Sequence, residues 1–393
     1  IRSPYEVMDY AQCMLTDSYL SKLREVCLCL MQDDEPDALE KIETDSFLLR
    51  EFKQKYSSAI KEGVYQNLVL MSLEDSTNEG KLIRWVDETM SIILKDSDLS
   101  RFLSNRHYLT TLAEASPGCF IGFMEKCPKE VLDVLFIPRK PARSVFGWEI
   151  SYTEVLFAIE MLAWEEEYLN RVTKLLFCYA EYENESNYAN KPINSLYNIY
   201  RLFLPQTYVA FEDRMTLLRA YSSKYKETVF KLCIRMCESL NGGAFEPNQY
   251  FKWRMFGKIE TPKYFNQITV DELNEVVVLM LQCCSYSAEK ITKLLVLSSN
   301  KNMGVCRDLI IDAVREHLVD LDDKQIVADA LRKDITRHMS CPDAKWSLSE
   351  VELKPYKDIL DEITPKDVLN GQAWLFEDFF VQLPHKRGKK RNY

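Results

Sequence analysis

WEEEYLNRVTKLLFCYAEYENESNYANKPINSLYNIYRLFLPQTYVAFEDR, residues 164–214, is the stretch whose punctuation decides the fold. Leu169, Val172 and Leu176 recur three and four apart, which predicts a helix over Tyr168–Ala180. Asn190-Lys-Pro-Ile then offers a polar cap and puts Pro192 near a helix start, where its missing N–H costs nothing. Leu196, Ile199 and Phe203 give the next helix an inward stripe. Pro205 disfavours helical geometry in the residue before it, so that helix is expected to stop at Leu204. From Gln206 onward Phe211, Met215 and Leu218 resume the register. The reading is a helix, a polar corner and further helices folding back.

The same pattern extends in both directions. Towards the N-terminus, Ser3-Pro4 reads as a cap with a proline start, followed by helices over Tyr5–Met14 and Leu20–Met31. A long helix is expected over Glu51–Leu73 despite Gly63, which costs about 1 kcal/mol against alanine. Leu82, Val86, Met90 and Ile93 make Lys81–Lys95 amphipathic, and Ser116-Pro117 and Pro128 start two more helices. Towards the C-terminus, helices are expected over Lys224–Leu240, Asp271–Tyr286, Ala288–Leu297, Gly304–Leu318 and Asp322–His338. Ser347 with Glu350 reads as a capping box, and Thr364-Pro365 announces a last short helix.

No segment alternates apolar and polar residues for long, and no fixed-period consensus recurs. The expected fold is all-α, an irregular α-solenoid of antiparallel helix pairs in the manner of TPR or HEAT arrays. Composition breaks suggest segments 1–140, 141–255 and 256–380, with 381–393 a basic tail or linker. The basic connector Arg139–Arg143 and the aromatic loop Phe245–Gln267 are the softest points.

With 393 residues, 47% hydrophobic and 28% charged, the chain has the makings of a substantial core, and wholesale disorder is excluded. The first residue is Ile and no signal-like segment precedes it, so the chain reads as a piece of something longer. No apolar run approaches the roughly eighteen residues of a membrane span. The twelve cysteines, such as Cys27, Cys29, Cys178, Cys233 and Cys237, lie in apolar helical patterns, the placement of reduced thiols in a cytoplasmic setting. Net charge is −10, and the nine residues from His385 carry five Lys and Arg, leaving the body near −15. An acidic body disfavours nucleic acid and confines any such contact to the tail, where a solvated linker is the commoner reading.

Catalytic patterns are incomplete. Cys233 with Cys237, and His338 with Cys341, lack the second close pair that a structural zinc site needs, and Cys283-Cys284 points its thiols about 100° apart on a helix. Ser58-x-x-Lys61 and Ser223-x-x-Lys226 lack the partner motifs of a serine–lysine hydrolase, and His107 beside Arg106 reads as surface. Asn78-Glu-Gly-Lys81 lacks both the first glycine and the preceding strand of a phosphate loop. Glu165–Glu167 fits a helix first turn better than a metal site. No catalytic, cofactor-binding or metal residue is therefore assigned. Aromatic content points instead to binding: Tyr182, Tyr188, Tyr197 and Tyr200 flank the polar corner, and Tyr250, Phe251, Trp253 and Phe256 lie in the later loop. Such rings favour interfaces, although the corners of a helical stack also pack them internally.

The order AIEMLAWEEEYLNRV (residues 158–172), NKPINSLYNIYRLFLPQT (190–207), Trp253-Arg254 and LRKDITRHMSCPDAKWSLSEVELKPYKDILDEITPKDVLNGQAWLF (331–376) resembles the C-terminal helical region of large bacterial STAND-type NTPases of antiphage defence. The resemblance covers roughly Tyr108 to Phe380 and rests on structural residues. It implies a non-catalytic sensor that binds a phage protein of terminase or portal type. It also implies that ATP, Mg2+, the effector and any homo-oligomerisation belong to domains outside this chain. A helical scaffold for host complexes, without sensing, is the alternative, and an enzyme built from scattered carboxylates is a third.

Overall fold

The computed structural model describes residues 3–33, 55–73, 80–95, 99–136, 152–182, 190–240, 251–254 and 268–364. Among these residues all regular structure is helical and no strand occurs. The chain divides into two compact units, Ile1–Leu217 with Ala244–Phe265, and Leu218–Gly243 with Asn266–Tyr393.

The first unit begins with α1 (Pro4–Ala11), which Ser3 and Glu6 open with a reciprocal capping box, and α2 (Asp17–Met31). It continues through α3 (Ser58–Leu73), α4 (Lys81–Lys95), α5 (Leu99–Ser104), α6 (Leu109–Ala115), α7 (Pro117–Glu125) and α8 (Lys129–Phe136). α9 (Thr153–Leu162), α10 (Glu166–Ala180) and α11 (Pro192–Tyr200) follow, and the division falls inside α12 (Phe211–Ser222). α3 packs on α4, α6 on α7 and α9 on α10, giving three successive helical hairpins. Across the hairpins α3, α6 and α9 lie side by side in one row and α4, α7 and α10 in another, while α11 closes on α9 and α10. The rows meet on fully buried Leu68, Val69, Leu112, Val86, Phe120, Ile159 and Leu176. Each such side chain contributes about 1.5–3 kcal/mol by leaving water. α7 and α10 cross at Gly118 and Gly122, one turn apart on α7, which face the Tyr168 hydroxyl and the Arg171 guanidinium with room for a Cβ at ordinary contact distance. Arg171 pairs with Glu125 at 2.7 Å across that crossing.

The second unit repeats the scheme with α13 (Lys226–Glu238), α14 (Val270–Cys283), α15 (Ala288–Ser298), α16 (Cys306–Glu316), α17 (Lys324–Ser340) and α18 (Glu350–Ile363). α13 packs on α14, α15 on α16 and α17 on α18, with α13, α15 and α17 in one row and α14 against α16 in the other. Thr269 with Glu272 and Ser349 with Glu352 form the capping boxes of α14 and α18, and Asp323 caps α17.

Several local expectations are corrected. α3 starts at Ser58, because the Asp33 carboxylate accepts the N–H groups of Lys55 and Tyr56 at 2.9 and 3.1 Å and holds 55–57 out of helical geometry. α11 ends at Tyr200, not Leu204: Arg201 is extended, Leu204 has φ +50°, and Phe203 is only half-buried. The N-cap of α11 is Lys191 rather than Asn190, although Pro192 does occupy the first turn. The capping box before α18 is Ser349/Glu352, since Ser347 is buried and donates to the His338 carbonyl at 2.9 Å. Cys29 is exposed and Cys178 half-buried, so those two are not core residues. The 139–143 connector, the 255/256 boundary, the helix expected after Thr364 and the 381–393 tail lie outside the described residues.

Candidate recognition surface and its buried anchors

The aromatic candidates separate by burial. Tyr200 is fully buried and its hydroxyl pairs with Thr173 Oγ1 at 2.7 Å; Phe251 is likewise buried. Both rings pack inside the first unit and present no surface to a partner. Tyr182 and Tyr197 are half-buried, and Tyr182 lies at the edge of a ring cluster in which Phe136 stacks on Tyr152 and Tyr179 at 4.9 and 4.3 Å. Trp253 is half-buried, with Lys252 over its ring. Tyr188, Tyr250 and Phe256 lie outside the described residues. Tyr208, which sequence reasoning passed over, is exposed and meets Trp164 edge-on at 5.0 Å.

The polar corner after α11 is held by charge. Arg214 on α12 is buried, and its Nη1 donates to the carbonyls of Ile199, Tyr200 and Arg201 at 3.3, 2.9 and 3.1 Å. A helix C-terminus leaves such carbonyls without intrahelical donors, and a cation there also meets the negative end of the dipole. Gln206 N–H returns to the Asn198 carbonyl at 2.9 Å, closing the turn. On the other side of α11, Ser195 donates to Oε1 of Glu160, a buried α9 carboxyl whose Oε2 has no partner. Burial pushes the Glu160 carboxyl up to about 7, with the Ser195 hydroxyl opposing the shift.

A second anchor brings distant segments of the same unit together. Glu114, buried near the end of α6, accepts the N–H groups of Trp253 and Arg254 at 2.5 and 2.9 Å. Arg254 donates in turn to the Glu114 and Ala115 carbonyls at 2.5 and 3.1 Å and to Ser72 Oγ at 3.0 Å. Burial raises the Glu114 carboxyl above its ordinary range against the pull of those N–H donors.

Lys61, fully buried, donates to the Asp33 carbonyl at 3.0 Å and pairs with Asp33 Oδ2 at 3.2 Å. Burial raises the Asp33 carboxyl, but the Lys55 and Tyr56 N–H bonds and the Lys61 ammonium outweigh it and hold the group low. Ser58 is exposed while Lys61 is buried, so this Ser-x-x-Lys pair does not converge.

In the second unit His338 is buried, and its Nδ1 accepts the Leu348 N–H at 3.0 Å. Its Nε2 faces Asp334 at 3.8 Å. Burial lowers the imidazole below its ordinary value, Asp334 opposing and the Arg337 and Arg307 charges adding to the effect. Cys341 is exposed while His338 is buried, and among the described residues no third ligand joins them. Cys233 and Cys237 are buried and burial lifts both thiols well above the usual range, which suppresses the reactive thiolate. Among the described residues no His/Cys/Asp/Glu group could hold a metal ion, and no helix is long and apolar enough to cross a membrane.

No family model, curated protein or solved structure matches the sequence.

Glu114, Glu160 and Arg214 were the buried ionic groups that pattern reading missed, and Lys61 was read only as half of a Ser-x-x-Lys pair, although helical spacing held a signal for some of them. Lys61 lies on the stripe Lys61, Tyr65, Leu68, and Glu160 on Leu156, Ile159, Glu160, Ala163. A charged residue on an inward stripe marks an internal partner.

Proposed function

We propose that the stacked hairpins of each unit form an α-solenoid segment of the TPR or HEAT kind that works by binding protein. On this reading the chain is the ligand-sensing region of a bacterial antiviral STAND NTPase. A phage protein of terminase or portal type is its ligand, and binding triggers oligomerisation and effector activation through domains outside the chain. The observation that carries the proposal is the side-by-side packing of hairpins in each unit, in which α6 and α9 are enclosed while α4 and α10 of the other row keep exposed residues for a partner to meet. The internal charges lend support, because Lys61, Glu114 and Arg214 are each engaged in holding helices or turns together. The residues of the resemblance, the 190–207 corner and Trp253-Arg254, coincide with those anchors.

Co-expression of the chain with individually cloned terminase and portal proteins from several phages tests this. Co-elution of one of them as a stable complex through size exclusion is the expected result. Failure of all of them, with stable host complexes recovered from uninfected cells instead, replaces the sensor with a scaffold.

A further inference from the structure

The segment Phe251–Arg254 meets the rest of its unit in the way a bound peptide meets a receptor. Its contacts with Glu114 and Ala115 span 139 or 140 residues of sequence. Two successive backbone N–H groups, from Trp253 and Arg254, go to one carboxylate oxygen, Glu114 Oε1. The Arg254 guanidinium reaches two carbonyls at the C-terminal end of α6 and the Ser72 hydroxyl at the end of α3. Helix C-termini favour a cation, and a planar fork satisfies several acceptors at once. Phe251 is buried as a side-chain anchor, whereas the buried Trp253 indole N–H finds no partner. A buried donor left unmade weakens the hold of this segment on its site, which leaves it open to exchange.

We propose that Glu114, with the acceptors at the ends of α3 and α6, is a recognition site for an extended peptide of aromatic-x-aromatic-Arg chemistry. Phe251–Arg254 is its built-in occupant, an autoinhibitory strap that an external segment of the same chemistry displaces. Main-chain N–H groups supply affinity, while the aromatic and guanidinium positions supply specificity. The strap rests on its own contacts and not on the identity of the large partner, so its failure leaves the co-expression test standing.

The test uses the full chain and a fluorescent peptide copying residues 248–256 (NQYFKWRMF). A chain carrying Phe251→Ala, Trp253→Ala and Arg254→Ala together should bind this peptide at least tenfold more tightly than the wild-type chain, by anisotropy. Replacing the peptide's arginine by alanine, or adding Glu114→Ala to the host, should erase that gain. A triple variant with unchanged helical circular dichroism that binds no more tightly than wild type overturns the proposal. If the triple variant loses helicity, hydrogen exchange on the wild-type chain decides. Faster exchange at 251–254 under saturating free peptide supports displacement, and unchanged exchange makes the segment a fixed part of the core.

Discussion

Glu160→Gln converts the buried carboxyl of α9 into a neutral group of the same shape. Ser195 still has an acceptor in the amide oxygen, so the contact between α9 and α11 persists. The difference lies in ionisation. The folded carboxyl titrates at about 7 against an ordinary 4.5, a gap worth about 3 kcal/mol at about 1.4 kcal/mol for each pH unit. Because the folded value is the higher one, the carboxyl's contribution is fully present below about 4.5 and is lost as pH rises to about 7. The glutamine has nothing to lose across that window. The stability difference, variant minus wild type, should therefore grow by up to about 3 kcal/mol between pH 4.5 and 7 and stay level above it. Any cost of the unpartnered amide hydrogens is independent of pH and moves the curve without changing its rise. With two units in the chain a single global melt mixes transitions, so urea-dependent hydrogen exchange of peptides from α9 and α11 is the appropriate readout. A difference that does not change with pH, or one that shrinks as pH rises, refutes the reasoning.

Lys61→Ala takes the ammonium from the Asp33 carboxylate, which keeps the Lys55 and Tyr56 N–H donors, and should cost about 3 kcal/mol by urea denaturation; adding Asp33→Asn should recover part of it. Gly63→Ala meets nothing within 4 Å on an interior turn of α3, so it should raise stability by about 0.5–1 kcal/mol in the same assay. Arg214→Ala leaves three carbonyls at the end of α11 without their donor and should cost about 3 kcal/mol, with exchange rising first at 199–201; Arg214→Lys should recover only part. The buried His338 faces Asp334 and Arg337 on α17, Arg307 on α16 and Glu352 on α18, and its imidazole titrates below the ordinary 6.5. The unfolded chain therefore binds the proton first, stability of the second unit falls as pH drops below about 6.5, and His338→Gln should flatten that fall in exchange of α17 peptides.

Helix register was legible wherever local chemistry sufficed. Lys81–Lys95 is helical over the predicted span because its apolar stripe is continuous, and Ser3-Pro4 and Ser116-Pro117 mark starts through the proline itself. Errors cluster where a distant residue intervenes. Asp33 captures the N–H groups that would have extended α3 backward, and Arg214 takes the carbonyls at the end of α11 before Pro205 acts. Ser347-x-x-Glu350 and Ser349-x-x-Glu352 are overlapping frames of one capping signal, and the His338 carbonyl settles the choice by engaging the Ser347 hydroxyl. The candidate surface was legible as aromatic composition only. Tyr200 and Phe251 share that composition with Tyr182 and Tyr197, and burial depends on which helix lies opposite, which no local window contains.

Three arginines repeat one device across both units. Arg214 takes the terminal carbonyls of α11, Arg254 those of α6, and Arg307 the Ser298 carbonyl at the end of α15, at 3.1 Å. The need arises from the architecture. Stacking short helices as hairpins turns their C-terminal ends towards neighbouring chain, where the last carbonyls lose water along with their intrahelical donors. A lysine offers a compact, strongly hydrated charge, whereas the guanidinium fork remains charged and serves several acceptors in one plane. Each arginine lies later in the chain than the helix it caps, so the cap also fixes how the following segment returns onto the stack. Arg307 extends the tie further, pairing through Nη1 with Glu352 of the α18 capping box at 3.2 Å. Loosening such a cap therefore frees a helix end and a returning segment in one step.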